Sequence, residues 1–358
     1  MVPARYPARA GLPAECAVTQ HTNPSHTARF VSAGHLPRRA RIAELVDQAH
    51  ERHRRCTDGE TSQVYPALAR ADPDLFGICV ASVDGAVFTS GDTDVLFPIM
   101  SVAKPFVFAL VLAHLGPDET RRRIGVNATG MAFNSLAAVE RGSDGRTNPM
   151  VNPGAIATAS LLPGTGEQKW RCLADGLSRF AGHELDIDHE VYSCASNTNL
   201  VNRAAVQLLG ARGLLGCEPD LALDLYTRQS CLRVTARDLA VMGATLANGG
   251  VNPSSGEPVI DEQLCHYVLA VMVTAGLYET SGDWLYEVGQ PGKSGIGGGI
   301  VTVSPGKGGL GTFAPPLDAA GNSVKGQLVA RDLARALGLD LLDSHPLVAD
   351  HKPAGSGG

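Results

Sequence analysis

Strand-like sequence occurs at two widely separated places in this chain of 358 residues. The first is "LFGICVASVDGAVFTSGD" (75–92), where two β-branched runs are joined by Asp84–Gly85, a strong hairpin signal. The second is "GGGIVTVSPG" followed by "LGTFAPPLD", with glycine turns between. The chain from about 110 to 252 is rich in alanine and leucine, as in "RCLADGLSRFAG", "LVNRAAVQLLGARGLLG" and "TARDLAVMGATLANGG". It reads as helix throughout. In the last of these stretches Thr235 is placed to cap and Asp238 falls in the first turn, and the helix closes at Asn248–Gly249–Gly250. Two more helices are expected in "EQLCHYVLAVMVTAG" and "VKGQLVARDLARALGLDLL". The two strand regions are therefore expected to join in one antiparallel sheet, flanked by helices and carrying the helical block as an inserted lobe. That is an α/β (α+β) architecture.

The expected boundaries follow. Residues 1–60 read as a partly disordered N-terminal extension holding one short amphipathic helix within Arg38–Arg55, with Ile42, Leu45 and Val46 at helical spacing. Residues 61–345 form one domain, its α/β part at 61–125 and 258–345 and its helical lobe at 126–257. Residues 346–358 read as a disordered tail. Hydrophobic residues at 44% and charged residues at 18% supply an ample core. A net charge of −6 gives no electrostatic case for nucleic acid or an anionic membrane. The N-terminus lacks the continuous apolar stretch of a signal peptide, and Pro105–Leu112, the longest apolar run, is too short to cross a bilayer. The eight cysteines form no C-x-x-C pair, so no zinc ribbon or redox motif is expected. These features suggest a cytoplasmic protein with reduced thiols, no metal and no cofactor.

One residue is out of place. Lys104 lies three residues after Ser101 inside the apolar stretch "FPIMSVAKPFVFALVL" (97–112), with Pro105 behind it. Burying an ammonium is expensive unless it is paired or neutralised. On a helix, i and i+3 share a face, so hydroxyl and amine would be neighbours. A serine hydroxyl becomes a nucleophile when a base takes its proton, and desolvation makes a lysine such a base. The positive end of a helix also favours neutral amine and alkoxide. S-x-x-K alone is a weak signal, more often read as a capping serine beside a snorkelling lysine.

A second motif strengthens it. "GQPGKSGIGGGIVTV" carries Lys293–Ser294–Gly295 before a β-branched run, resembling the K-[ST]-G strand edge of penicillin-recognising serine hydrolases. There glycine admits substrate, the second lysine adds positive field, and a backbone N–H just downstream completes an oxyanion hole with that of the nucleophile.

From about Val64 to Leu342 the sequence resembles the serine-dependent glutaminase family, which has the β-lactamase/penicillin-binding-protein-like fold. The resemblance rests on "YPALARADPDLFGICVASVDG", "SVAKPF", "NPMVNPGAI", "VTARDLAVMGATLANGG", "GLYETSGDW", "GKSGIGGGI" and "PPLDAAGNSVKG". It implies hydrolysis of L-glutamine to glutamate and ammonia, with Ser101 as nucleophile, Lys104 as its base and Tyr278 relaying the proton to the leaving amine. It implies an oxyanion hole from the N–H groups of Ser101 and Ile296, and a substrate pocket that includes Tyr65, Asn152, Asn202 and Tyr226. Lys293, Ser294 and Gly295 are supporting residues. The implied partner is a small-molecule amide, and the implied assembly a homodimer or homotetramer.

The sequence departs from the family at one place. In "VYSCASNTNLVN" Ala195 stands where the family pattern has a glutamate expected to pair with the substrate's α-ammonium, and Val201 replaces an arginine. Glu190, five residues earlier, is the candidate to compensate. Two further readings therefore accompany the first: a related serine amidohydrolase or esterase of altered substrate, and a non-catalytic binding protein. Other motifs fail on context. "GKGGLG" (306–311) has the G-x-G-x-x-G form, but "TFAPPLD" after it cannot start a helix. "GQPGKS" lacks the first P-loop glycine, since Glu287 occupies that position. His183–Glu184 and His189–Glu190 do not make H-E-x-x-H.

Overall fold

The computed structural model describes residues 36–141 and 144–343. The expectations about the first 35 residues and the terminal tail lie outside the described residues.

Strands β1 (Gly77–Ser82) and β2 (Val87–Gly91) form the hairpin expected around Asp84–Gly85. A two-residue β3 (Phe97–Pro98) pairs with β4 (Arg233–Val234). Strands β5 (Gly292–Ser294), β6 (Gly299–Ser304) and β7 (Gly308–Phe313) come from the far end of the sequence. The main sheet runs β2-β1-β7-β6-β5, antiparallel throughout, so β1 pairs with β7 across the inserted helices. The two strand regions do form one sheet.

Alternation along the strands assigns its two faces. Ile78, Val80, Ile300 and Leu310 point to one face, where they pack with the helices Arg39–His53 and Val324–Leu337 through Ile42, Val46, Val329 and Leu333. The Arg39–His53 helix, assigned from sequence to an extension, is thus part of a sheet layer. Its buried stripe was legible, but the surface it covers was not. Cys79 and Ala81 point to the other face and meet Ala240, Val241 and Ala244 of the Ala236–Ala247 helix. That helix begins at the Thr235 cap expected above, which Asp238 completes as a reciprocal capping box. It fell within the helical lobe in the sequence reading, yet it lies flat on β1, β6 and β7.

Glycine explains how a helix comes so close to a sheet. A Cβ on Gly311 would lie 2.1 Å from the Ala236 carbonyl oxygen, and one on Gly309 would lie 2.4 Å from that of Ala240. The "GKGGLG" run is therefore the helix-docking face of a central strand. Its glycines serve close backbone approach rather than phosphate binding.

The apolar segment after β3 is not a continuous helix. Met100–Ala103 forms one 3₁₀ turn, and the α-helix proper is Lys104–Leu115 with Pro105 in its first turn, where a missing N–H costs nothing. This helix is buried along nearly its whole length. It packs against Asn152–Ser160, Gly166–Ala181 and Glu262–Ala275 in the largest core cluster. No helix among the described residues is long and apolar enough to cross a membrane.

Gly311→Ala is expected to destabilise the fold by about 1–3 kcal/mol through backbone overpacking. Gly282→Ala, in the Ser281–Val288 helix with nothing within 4 Å of the added carbon, is expected to be neutral or slightly stabilising. Urea titration of both variants checks the pair. Equal midpoints would contradict the docking role of Gly311.

Candidate active site

The site forms where the 3₁₀ turn carrying Ser101 meets the β5–β6 turn. Met100, immediately before Ser101, has φ 50°, and Tyr278 has φ 58°. These are the two non-glycine residues of positive φ among the described residues. Each such conformation costs on the order of 1–3 kcal/mol and persists only where the surroundings hold it. Here they hold the serine and the tyrosine near each other, where the Ser101 hydroxyl acts against burial to lower the Tyr278 pKa. The Tyr278 hydroxyl donates to the Ser294 carbonyl at 3.3 Å, and burial pushes the phenol up to about 12.

Gly295 is needed where the two segments touch. A Cβ there would lie 3.1 Å from both the Ser101 nitrogen and the Ile99 carbonyl oxygen. Gly297 lies closer still, its absent Cβ 2.5 Å from the Pro98 carbonyl oxygen. The turn after β5 thus runs along the backbone of Ser101, and Ile296 lines the same cavity as Ser101.

Lys104 is 1% exposed, beneath this cavity. Its Nζ donates to Asn152 Oδ1 at 2.7 Å and to the Met150 carbonyl at 3.3 Å. Burial lowers its pKa to about 7. Asn152 Oδ1 also accepts from the Tyr226 hydroxyl at 2.8 Å, which fixes the orientation of its amide. Asn152 Nδ2 then donates to Asn202 Oδ1 at 3.0 Å, Asn202 to Asn199 at 2.5 Å, and Asn199 to Thr227 at 3.3 Å. Asn152 and Asn202 are therefore parts of a buried polar relay, and neither amide group caps a helix. The Asn152 backbone N–H donates to the Phe133 carbonyl at 2.7 Å.

Lys293 is fully buried too, under the Tyr278 ring at 4.2 Å, and donates to the Ser294 carbonyl at 2.6 Å. Burial first, and then the neighbouring Lys104, lower its pKa well below the ordinary lysine value. That weakens the positive field the sequence reading gave it; what it supplies is packing and a hydrogen bond beneath Tyr278. Ser294 donates to Asn322 Oδ1 at 2.5 Å, and Asn322 in turn donates to Thr280 at 3.0 Å, next to Tyr278.

The cavity, about 160 Å³, is lined by Ser101, Tyr65, Asn152, Asn202, Tyr226 and Ile296 among others. It brings together most of the residues expected from the sequence, while Tyr278, Gly295, Lys104, Lys293 and Ser294 are not among its lining residues. Ala195 is also in its wall, buried beside Met100, Val191 and Cys231. Glu190 does not compensate for it: it forms a solvent-exposed ion pair with Arg70 and is absent from the lining. Sequence reasoning missed Asn199, Asn322 and Phe133, whose ring packs 4.6 Å from that of Tyr278. It also missed Cys231, a wall thiol that burial pushes up to about 12 and so keeps protonated. No cluster that could hold a metal occurs among the described residues.

Comparisons with known proteins agree with this geometry. Residues 59–342 match the model of the family described as Glutaminase. The protein is 62% identical over 318 residues to Glutaminase 2 of Yersinia pestis, covering 88% of this sequence and 94% of that one. It is 45% identical over 305 residues to a glutaminase of Mycobacterium ulcerans, at 85% and 95% coverage. Among solved structures, the probable glutaminase ybaS superposes with a TM-score of 0.84 at 39% identity, covering 86% of this sequence and 99% of that one. Bacillus subtilis glutaminase YbgJ, in covalent complex with 5-oxo-L-norleucine after reaction with 6-diazo-5-oxo-L-norleucine, does so at 0.76 and 29%, covering 84% and 99%.

The buried amine has a stability cost that can be measured. The folded-state pKa of Lys104 lies below the unfolded value, so the unfolded state binds more protons between them. The penalty is full below about pH 7 and fades as pH rises toward about 10. Lys104→Met is therefore expected to raise the melting temperature at pH 6.5, with a smaller gain at pH 9. Calorimetry at the two values checks this. A variant less stable than wild type at pH 6.5 would mean that the lysine's hydrogen bonds outweigh its desolvation.

Proposed function

The chain belongs to the glutaminase family, and from that premise we propose that it hydrolyses the γ-carboxamide of L-glutamine to give L-glutamate and ammonia through an acyl-enzyme on Ser101. The observation that carries the mechanism is the hydrogen bonding of Lys104. A neutral amine has two N–H donors and one lone pair, and its two acceptors here are Asn152 and the Met150 carbonyl. With both donors occupied and the pKa near 7, the lone pair remains for the hydroxyl one turn earlier.

Ser101 Oγ attacks the amide carbon as its proton passes to Lys104. The N–H groups of Ser101 and Ile296 stabilise the oxyanion; the turn from Gly295 runs against Ser101, which supports that pairing. The C–N bond then breaks. Tyr278, whose phenol the Ser101 hydroxyl influences, gives its proton to the leaving amine and regains one from Lys104. A phenol whose pKa burial holds near 12 suits a relay that stays protonated between turnovers. Water next attacks the glutamyl ester, Lys104 takes its proton, and Ser101 is restored. Tyr65, Asn152, Asn202 and Tyr226 form the substrate-facing walls. In this reading the protein acts on a small-molecule amide in the cytoplasm, as a homodimer or homotetramer of the kind the family resemblance implies. A purely binding descendant would have no use for the buried amine, whose cost only chemistry offsets.

Ser101→Ala is expected to reduce ammonia release from glutamine by about a thousand-fold or more. It should also abolish the mass adduct that wild type forms with 6-diazo-5-oxo-L-norleucine. The wild-type kcat/KM should rise with pH through an inflection near 7, because the base acts when deprotonated. Full turnover by Ser101→Ala would exclude this nucleophile.

A further inference from the structure

The cavity in front of Ser101 has a wall chemistry that glutaminase activity alone does not require. Among the described residues, those lining it include no Asp, Glu, Lys or Arg; its polar groups are hydroxyls, amides and one thiol. Lys104 lies behind the wall, with its hydrogen bonds directed to Asn152 and Met150. The Arg70–Glu190 pair is at the surface, with each residue satisfied by the other. Ala195, in the wall itself, belongs to an apolar cluster with Leu68, Met100, Val191 and Cys231. One side of the mouth has the same character, while the adjoining cleft, which shares Val64, Phe133 and Ile296, is lined by Asp58, Glu60 and Asp318. Val64, Leu200 and Val201 line the cavity and yet remain 55%, 73% and 46% exposed.

Free glutamine brings an α-ammonium and an α-carboxylate to this place. A charge taken out of water against walls that offer no counter-charge loses hydration with nothing to replace it. Acylation of the α-nitrogen removes one of these two charges, and the α-carboxylate is common to both substrates. The N–H and carbonyl of the acylated nitrogen match amides and hydroxyls, and its acyl carbons match an apolar rim.

We infer that this site takes the γ-carboxamide of glutamine units whose α-nitrogen is acylated, in preference to free L-glutamine. The inference rests on the glutaminase reading and refines its substrate class. The bond broken is still the C–N bond of the γ-carboxamide, the bond formed is from Ser101 Oγ to the γ-carbonyl carbon, and water releases the Nα-acyl-glutamate after ammonia departs. The α-amide is untouched. Ala195 is the specificity-determining position in the wall, and Leu200 is at the rim.

The test measures ammonia release by the full-length protein from L-glutamine and from Nα-acetyl-L-glutamine. The expected ratio of kcat/KM, acetylated over free, is ten or more. Ala195→Glu should lower that ratio at least ten-fold by giving an ammonium a partner. Because a carboxylate placed in a buried wall can cost the fold, Leu200→Asp at the exposed rim provides a second variant, expected to shift the ratio in the same direction. A wild-type ratio of one or below, with glutamine turned over normally, overturns the preference and leaves the glutaminase reading standing. Ammonia from neither substrate, with Ser101→Ala indistinguishable from wild type, overturns both.

Discussion

The uncharged amine of Lys104 is the constraint on which the rest of the site depends. An amine whose pKa lies near 7 requires that its hydration be stripped away, and the Lys104–Leu115 helix provides this by being buried over most of its residues, Lys104 among them. It also requires that the amine's own polarity be satisfied. Asn152 is placed for this because the Asn152–Ser160 helix packs on the lysine's helix and because its own amide is locked by Tyr226 and Asn202. The relay of asparagines is thus the condition under which a lysine can remain buried without a carboxylate partner. A carboxylate there would restore the charge and raise the pKa, and the base would be lost.

The second requirement is that two segments nearly two hundred positions apart in sequence meet within a few ångströms. Sheet pairing does the coarse work: β5 is an edge strand, so its exit turn is free to pass beside the nucleophile. Glycine does the fine work. At Gly295 and Gly297 a single methyl group would push Ser101 and Pro98 away. The strain at Met100 and Tyr278 fits the same picture. Both residues keep left-handed backbone where the surrounding packing holds it, at Tyr278 and immediately before Ser101.

Much of this was legible in the sequence because it has local causes. The Asp84–Gly85 hairpin, the Thr235 helix cap and the anomalous lysine are each announced within a few residues. What escaped were effects of tertiary context. The Arg39–His53 stripe does not say that it covers Ile78 and Val80. "GKGGLG" does not say that a helix presses on it. Lys293 reads as a charge until its burial beneath Tyr278 and its nearness to Lys104 are known. Asn199 and Asn322 carry no signal of their own, since asparagine is common in turns and caps; their role exists only through Asn202 and Ser294.

Burial separates the groups tied to the base, Asn152, Asn202 and Tyr226 of the wall included, from a part of the wall that can change without them. Lys104, Lys293 and Ser294 are essentially inaccessible and tied by hydrogen bonds to backbone carbonyls or to Asn152 and Asn322, so altering one strands another. The recognition side is different. Ala195 packs with Leu68, Met100, Val191 and Cys231 at the cavity, and Leu200 and Val201 face solvent at the rim. A neutral residue in that wall leaves no buried partner unsatisfied, so loss of a charge there costs the fold nothing while it changes which α-substituent the site tolerates. The same chemical step can therefore be kept while the substrate around it changes, because the base depends on the buried interior and recognition depends on the part of the wall not tied to it.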